Sequence, residues 1–299
     1  MLKKKIVFII NPHAGIGHYK KVARLLRTQL DDTLYDYELQ LTRYRGHGHA
    51  LAVEATENNT DIVIAVGGDG TINEIARALV GKNVVLGFIP TGSGNGLAHH
   101  LQVPTQISKA IQMINDGHTS QIDTVKINNK ICISIAGMGF DGLVAEMFDS
   151  SSRRGFFPYL YYVMKTFTSY KQQTYYVEEK GKEKQEHTVM LVSIANSSQW
   201  GFNLKISPEA SMDDGYADIC LAKKPDFFTL PFSTTALLTG NVDKDKRNMH
   251  IYRLSECTIY TKDEIAQPFH IDGDPIERQT KLEIKVLPKS LCIITPKNV

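Results

Sequence analysis

Two short stretches of this chain combine acids with glycine in a way that could do chemistry. Residues 65–74 read AVGGDGTINE and residues 270–275 read HIDGDP. In the first, Gly67, Gly68 and Gly70 let backbone N–H groups come close to an anion, and a following helix N-terminus adds a favourable dipole. Thr71 offers a hydroxyl donor. Asp69 would repel a phosphate directly, so its place makes sense if a divalent cation lies between them, as Mg²⁺ does at nucleotide sites. The first stretch therefore points to a metal-bound polyphosphate. In the second, Asp272-Gly-Asp274 interrupts a strand-like region, where Asp and Gly are poor choices for pairing alone. A plain hairpin turn at Asp-Gly also accounts for it.

The first stretch has companions. NPHAGIG at 11–17 and PTGSGNG at 90–96 also follow apolar runs, and Ser93 adds a second hydroxyl. A single glycine pair is most simply a tight strand-to-helix turn; three such loops at three strand ends make a shared ligand the better reading. None is a GxxxxGK[ST] or a GxGxxG, so both familiar nucleotide fingerprints are absent. Ligands of open parallel sheets bind at the carboxyl ends of the strands, where these loops fall.

The elements that must position them alternate over the first 120 or so residues. KIVFII, DIVIAV and VVLGFIP are buried-strand runs and YDYELQLT alternates; helical stretches such as YKKVARLLRTQL, HALAVEATENN and TINEIARALV separate them. This predicts a parallel sheet covered on both faces. From about Val125 strands dominate. VKINNKICISIAG turns at Asn128-Asn129, QTYYVEEKGKEKQEHTVMLVSIAN is a second hairpin, and only 156–171 and 226–240 read as helix. The expected architecture is an α/β nucleotide-binding domain at 1–124, to which 290–299 can return, and an antiparallel β-sandwich domain at 125–289.

The chain has 299 residues with 42% hydrophobic and 22% charged, which excludes wholesale disorder. A formal charge of +2 is too mild for a nucleic-acid protein. No apolar stretch reaches the roughly 20 residues that span a bilayer. MLKKKIVFII is basic then apolar but runs into NPHAG without a small-residue cleavage site, so it reads as the first strand. Cys132, Cys220, Cys257 and Cys292 are far apart, as expected for reduced thiols in a cytoplasmic protein.

GGDGTINE, preceded by NPHAG and followed by GFIPTGSGNGLA, resembles the diacylglycerol kinase and sphingosine kinase catalytic superfamily, and the bacterial soluble lipid kinases in length and layout. GGDGT alone is also similar to NAD kinases; GSGNGLA and the late DGD favour the lipid branch. The resemblance implies an active site in the cleft between two domains, ATP as phosphoryl donor with Mg²⁺, and a lipid acceptor. It implies ATP contacts at Asn11, Thr42, Gly67, Gly68, Asp69, Gly70, Thr71, Ile72, Asn73 and Ser93. Asp69 and Asp123 would serve near the metal, a strand-edge cap being an equal reading of Asp123. Asp272 matches the family's general base; Asp274 stands where glutamate is usual. SPEASMDDGYADI at 207–219 matches a second, structural Mg²⁺ site with the Asp214 side chain and the carbonyls of Ser211 and Tyr216, Asp213 being a competitor.

RRGFFPYLYYVMKTFTSYK at 153–171 puts Phe157, Tyr161, Met164 and Tyr170 near one helical stripe, which reads as packing on a core or lining an acyl-chain cleft. Asp141 matches an acid that sphingosine kinases use for the substrate amine. Lysines and arginines around 225–240, and Arg153 and Arg154, suit an anionic bilayer surface. The expectation is an ATP-dependent lipid kinase acting on diacylglycerol or a related neutral lipid, peripheral to the inner face of the membrane, with a homodimer open. The alternatives are a sphingoid-base kinase, an NAD kinase and a catalytically reduced nucleotide-responsive membrane adaptor.

Overall fold

The computed structural model describes residues 3–15, 18–151, 155–201, 204–226, 228–242 and 248–297. Arg153, Arg154, Lys244, Lys246 and Arg247, invoked above for a membrane surface, lie outside the described residues, as do Ile16 and Gly17 of the first glycine loop. The chain forms two compact units, one from Met1–Ile122 and Lys289–Val299, the other from Asp123–Pro288.

In the first unit the elements run β1 (Lys4–Ile10), α1 (His18–Gln29), β2 (Tyr35–Leu41), α2 (His47–Glu57), β3 (Ile62–Gly67), α3 (Asp69–Leu79), β4 (Val85–Pro90), α4 (Gly96–His100) and α5 (Ile107–Asp116). The strands lie in the order β2-β1-β3-β4, all parallel. Residue 293, from the chain's last strand, pairs beside β4 opposite Leu86 in the same direction. Ile6–Ile10 and Ile62–Gly67 are buried at every position, so neither side of these strands faces water. The helices supply the cover in pairs, α1 against α5 and α2 against α3.

The second unit takes in β5 (Thr119–Ile127), whose first residues belong to the other, then β6 (Lys130–Cys132), β7 (Ile135–Gly139), α6 (Phe140–Asp149), α7 (Phe156–Ser169), β8 (Gln173–Glu179), β9 (Gln185–Val189), β10 (Leu191–Ala195), β11 (Gln199–Gly201), β12 (Leu204–Lys205) and β13 (Ala217–Ala222). There follow α8 (Leu230–Thr239), β14 (Met249–Leu254), β15 (Glu256–Thr261), β16 (Gln267–Ile271), β17 (Asp274–Gln279) and β18 (Lys281–Ile294). One antiparallel sheet has the order β14-β13-β10-β7-β16-β17. In the other, β15 lies between β8 and the start of β18, and β8 pairs β9.

Strand periodicity divides the residues of the six-stranded sheet cleanly. Ala136, Met138, Val192, Ile194, Ile219, Leu221, Phe269 and Ile271 share one face and pack with Val177, Ile259, Leu282 and Ile284 of the second sheet, forming the sandwich core. The opposite face carries small residues at Gly137, Gly139, Ser193, Ala195, Cys220 and Ala222, in register across β7, β10 and β13. On that side lie α6, α7 and α8.

Helix α6 is a correction to the sequence reading, which gave this half only two helices. Gly142 lies within α6 and is needed for close packing, because a Cβ there would meet the backbone of Pro268. The α7 stripe is a second correction. Of the four stripe residues Phe157 and Tyr161 face outward, while Met164 lines an apolar cavity and Tyr170 packs inward with Tyr159, Tyr162, Val163 and Phe167.

Candidate functional site

The three glycine loops meet at the carboxyl ends of β1, β3 and β4. Asn11 N–H donates to Val66 O and Thr91 N–H to Gly67 O, at 2.9 and 2.8 Å. Asn11 Nδ2 donates to Thr71 Oγ1 at 3.0 Å, tying the first loop to the second. The second and third loops touch backbone to backbone. A Cβ on Gly92 would lie 2.6 Å from Gly68 Cα, and one on Gly68 would lie 3.2 Å from Gly92 Cα. A Cβ on Gly15 would lie 2.7 Å from Thr91 O. Glycine is required here because main chain packs on main chain.

GGDGT is less a loop than a helix start. α3 begins at Asp69, with Gly68 as its N-cap and no side chain capping it. The N–H groups of its first turn therefore lack intrahelical acceptors, the arrangement that favours an anion. Thr71 and Asn73 are buried, Thr42 is nearly so, and Ser93 is exposed at the tip of its loop. Thr42 holds its place at the rim through its N–H to Ile10 O.

Asp69 does something the sequence did not suggest. Its carboxylate is half-buried and reaches the amides at the start of α4. Burial pushes its pKa up, and the N–H groups of Asn95, Leu97 and Gly96 pull it down without cancelling the rise. One oxygen, Oδ1, has no partner among the described residues, and neither do Asn73 Oδ1 and Asn95 Oδ1. Asn95 sits at φ 48°, and its Nδ2 donates to Gly92 O at 2.9 Å. Its place inside GSGNG was the only signal for it. A buried carboxylate oxygen without a donor is a fit for a hard cation.

In the second unit Asp272 and Gly273 form the tight turn between β16 and β17, with φ 55° and 83° and Ile271 opposite Asp274. The hairpin reading of this stretch is thus realised, and the carboxylate is also held. Asp272 Oδ1 accepts the Ser134 N–H at 2.7 Å, and its oxygens accept the Ile133 N–H at 3.1 and 3.2 Å. His270, fully inside the unit, receives the Gly273 N–H on Nδ1 at 3.2 Å, and its Nε2 lies 2.9 Å from Asp141 Oδ1. Burial lowers the imidazole pKa, but the charge of Asp141 and the bond to it outweigh burial and leave it raised. Gly137 lies beneath this pair. We expect Gly137→Ala, whose Cβ would collide with Asp141 Oδ2, to destabilise the protein by about 1–3 kcal/mol and to separate Asp141 from His270, read by thermal unfolding.

Asp123 is fully buried. Its Oδ2 accepts the Gly215 N–H at 2.7 Å, a capping contact. At 211–216, Ser211 Oγ donates to Asp213, Tyr216 N–H to Asp214 Oδ1 at 3.0 Å, and Arg253 Nη1 is 3.9 Å from Asp214 Oδ2. A dication held by the Asp214 side chain and the carbonyls of Ser211 and Tyr216 would compete with that guanidinium. This donor set fits a structural Mg²⁺ poorly.

The small-residue face of the six-stranded sheet and helices α6, α7 and α8 enclose an apolar cavity of about 410 Å³. Asp141, Tyr159, Phe167, Trp200, Ala222 and Leu237 are among its walls. Burial, and then the charge of Asp141, push the Tyr159 phenol far up. Trp200, which the sequence reading passed over, is the single tryptophan of the chain.

Comparison with known proteins bears on both units. The diacylglycerol kinase catalytic domain matches residues 5–127, and the YegS C-terminal NAD kinase beta sandwich-like domain matches residues 134–295. A diacylglycerol kinase of Staphylococcus saprophyticus is 27% identical over 91% of this chain and 90% of its own length. One from Staphylococcus carnosus is 25% identical over 100% of this chain and 97% of its own. A crystal structure of a diacylglycerol kinase from Bacillus anthracis superposes with a TM-score of 0.76 at 20% identity, covering 100% of this chain and 99% of that one, and shows the same fold. These relatives do not favour an NAD kinase, a sphingoid-base kinase or an inactive adaptor. With loops of this build on a parallel sheet, a sandwich unit behind an apolar cavity, and both domain families matched along nearly its whole length, the chain belongs to the diacylglycerol kinase family of lipid kinases.

Proposed function

We propose that the protein transfers the γ-phosphoryl group of ATP to the hydroxyl of diacylglycerol or a related neutral lipid. The observation that carries this is the convergence of three glycine loops on an uncapped helix start beside a buried, donorless carboxylate oxygen. The first-turn N–H groups of α3, Thr71 and Ser93 would bind the phosphates, with Asn11 and Thr42 framing the site. Asp69 would hold Mg²⁺, helped by the amide oxygens of Asn73 and Asn95; when bound, the cation neutralises phosphate charge. The lipid hydroxyl oxygen bonds to the γ-phosphorus, the bond to the β,γ-bridging oxygen breaks, and ADP leaves with its electron pair. Asp272 takes the hydroxyl proton, and its two backbone donors keep the carboxylate oriented. Asp274, on the same hairpin, would support it.

The cavity of the second unit would hold the acyl end. Around it, α7 exposes Phe157 at 81% and Tyr161 at 60%, and Phe228, just before α8, is 88% exposed. Amphipathic aromatic surface of this kind suits a bilayer interface, so we assign it peripheral contact with the inner face of the membrane. No described helix is long and apolar enough to cross one.

Labelled ATP, Mg²⁺ and vesicles carrying diacylglycerol test the reading. Label is expected in the lipid fraction as a phosphorylated product, and none in NADP when NAD is offered. The double variant Phe157→Asp/Phe228→Asp should lose transfer on vesicles while keeping it on a short-chain, water-soluble diacylglycerol. Label confined to inorganic phosphate would refute the assignment.

A further inference from the structure

The cavity limits what the acceptor can be. Its volume is about 410 Å³. Its lining is mostly apolar, which suits an acyl chain. Its walls are apolar but for a few groups, and two of these have unmet hydrogen-bonding capacity. Asp141 is nine-tenths buried; Oδ1 faces His270, while Oδ2 has no partner among the described residues. Trp200 Nε1 is also buried without a partner among them. The cavity therefore presents one acceptor and one donor to whatever fills it.

Diacylglycerol answers these groups badly. Its single hydroxyl is the one consumed, so no proton remains for Asp141 Oδ2. A monoacylglycerol has one chain and two hydroxyls. We propose, resting on the lipid-kinase reading above, that the preferred acceptor is a single-chain glycerolipid with a second hydroxyl. That hydroxyl donates to Asp141 Oδ2, and the ester carbonyl accepts the Trp200 N–H. Asp141 and Trp200 are then specificity-determining residues, and His270 holds Asp141 in place.

The test uses the full chain with 1-monomyristoylglycerol, 1,2-dimyristoylglycerol and tetradecanol in mixed micelles. Monomyristoylglycerol should exceed both others in kcat/KM by about tenfold or more, since an unpaired buried polar group is what the other two leave behind. Asp141→Asn should bring the ratio of monomyristoylglycerol to tetradecanol close to one. Ala222→Leu, which adds bulk to a cavity wall, should shift the best chain to a shorter one and guards against misreading an unstable Asp141 variant. Trp200 fluorescence should move saturably with monomyristoylglycerol and no nucleotide. Equal or better use of dimyristoylglycerol, an unchanged ratio in Asp141→Asn, or an unchanged chain optimum in Ala222→Leu overturns the proposal. Lipid transfer without a Trp200 response overturns it alone. A Trp200 response without transfer to any lipid overturns the kinase reading and leaves this binding assignment standing.

Discussion

Asp272→Asn lowers lipid phosphorylation by about 10²–10⁴, the usual contribution of a positioned general base, while the folded protein remains. The substitution separates the role that the geometry shows for this carboxylate from the one that we propose for it. As a structural group it accepts the N–H of Ser134 and of Ile133. As a chemical group it takes a proton. Asparagine keeps one oxygen for Ser134 N–H and tolerates the φ of 55° at this turn about as well as aspartate does. It loses at most one backbone bond, costing about 1 kcal/mol, and it cannot accept the lipid proton. Measured together, transfer of labelled phosphate and the unfolding midpoint distinguish the roles. Activity within a few-fold of wild type, or activity falling only as far as the melting temperature explains, would remove Asp272 from the chemistry and leave it as a turn residue.

Gly92→Ala abolishes tight nucleotide binding, by tenfold or more, and destabilises the first unit by about 1–3 kcal/mol. The added methyl would lie 2.6 Å from Gly68 Cα and 2.9 Å from Asn95 Oδ1. The first of these is main chain and cannot rotate away, so the loop after β4 must move off the start of α3. The second group is the amide we place beside the cation. Gly70→Ala is the matched control, because a Cβ there meets nothing within 4 Å. It lies in the first turn of α3, where alanine is the better helix former, so folding stability should hold or rise. Calorimetric titration with Mg·ATP and thermal unfolding of both variants check this. Equal stability losses in the two would mean that the backbone contact is not what demands glycine.

Much of the first unit was legible because its code is local. Runs such as Ile6–Ile10 and Ile62–Val66 are apolar at every position, and only a strand covered on both faces uses such a pattern over five residues. The glycine loops announced an anion site for the same reason. What could not be read was the contact between Gly68 and Gly92, which joins positions 24 residues apart and leaves each glycine looking like an ordinary turn residue. Equally hidden was the attachment of Asp69 to the amides opening α4, which is as remote in sequence.

The second unit was harder for a different reason. Strands were recognisable, but α6 was hidden by Gly142, whose absent side chain admits the Pro268 backbone. In α7 both sides of the helix are apolar, so the spacing placed Phe157 and Tyr161 on one stripe with Met164 and Tyr170, where the structure turns the first two outward. Periodicity identifies a face only when the other face is polar. Nor does sequence say that the inward pair Asp141 and His270 share a proton donor and acceptor 129 residues apart.

The pairing of Ile293 with Leu86 has a consequence for how the protein comes into being on the ribosome. The open side of β4 is formed early in translation, yet its neighbour emerges nearly two hundred residues later, after the entire sandwich. Throughout that interval a buried-type strand presents unpaired amides and carbonyls, the template for association with other nascent chains. Completion of the nucleotide half thus waits until the sandwich has been made, and a product that stops at Pro288 would carry every glycine loop while lacking the strand that seals their sheet.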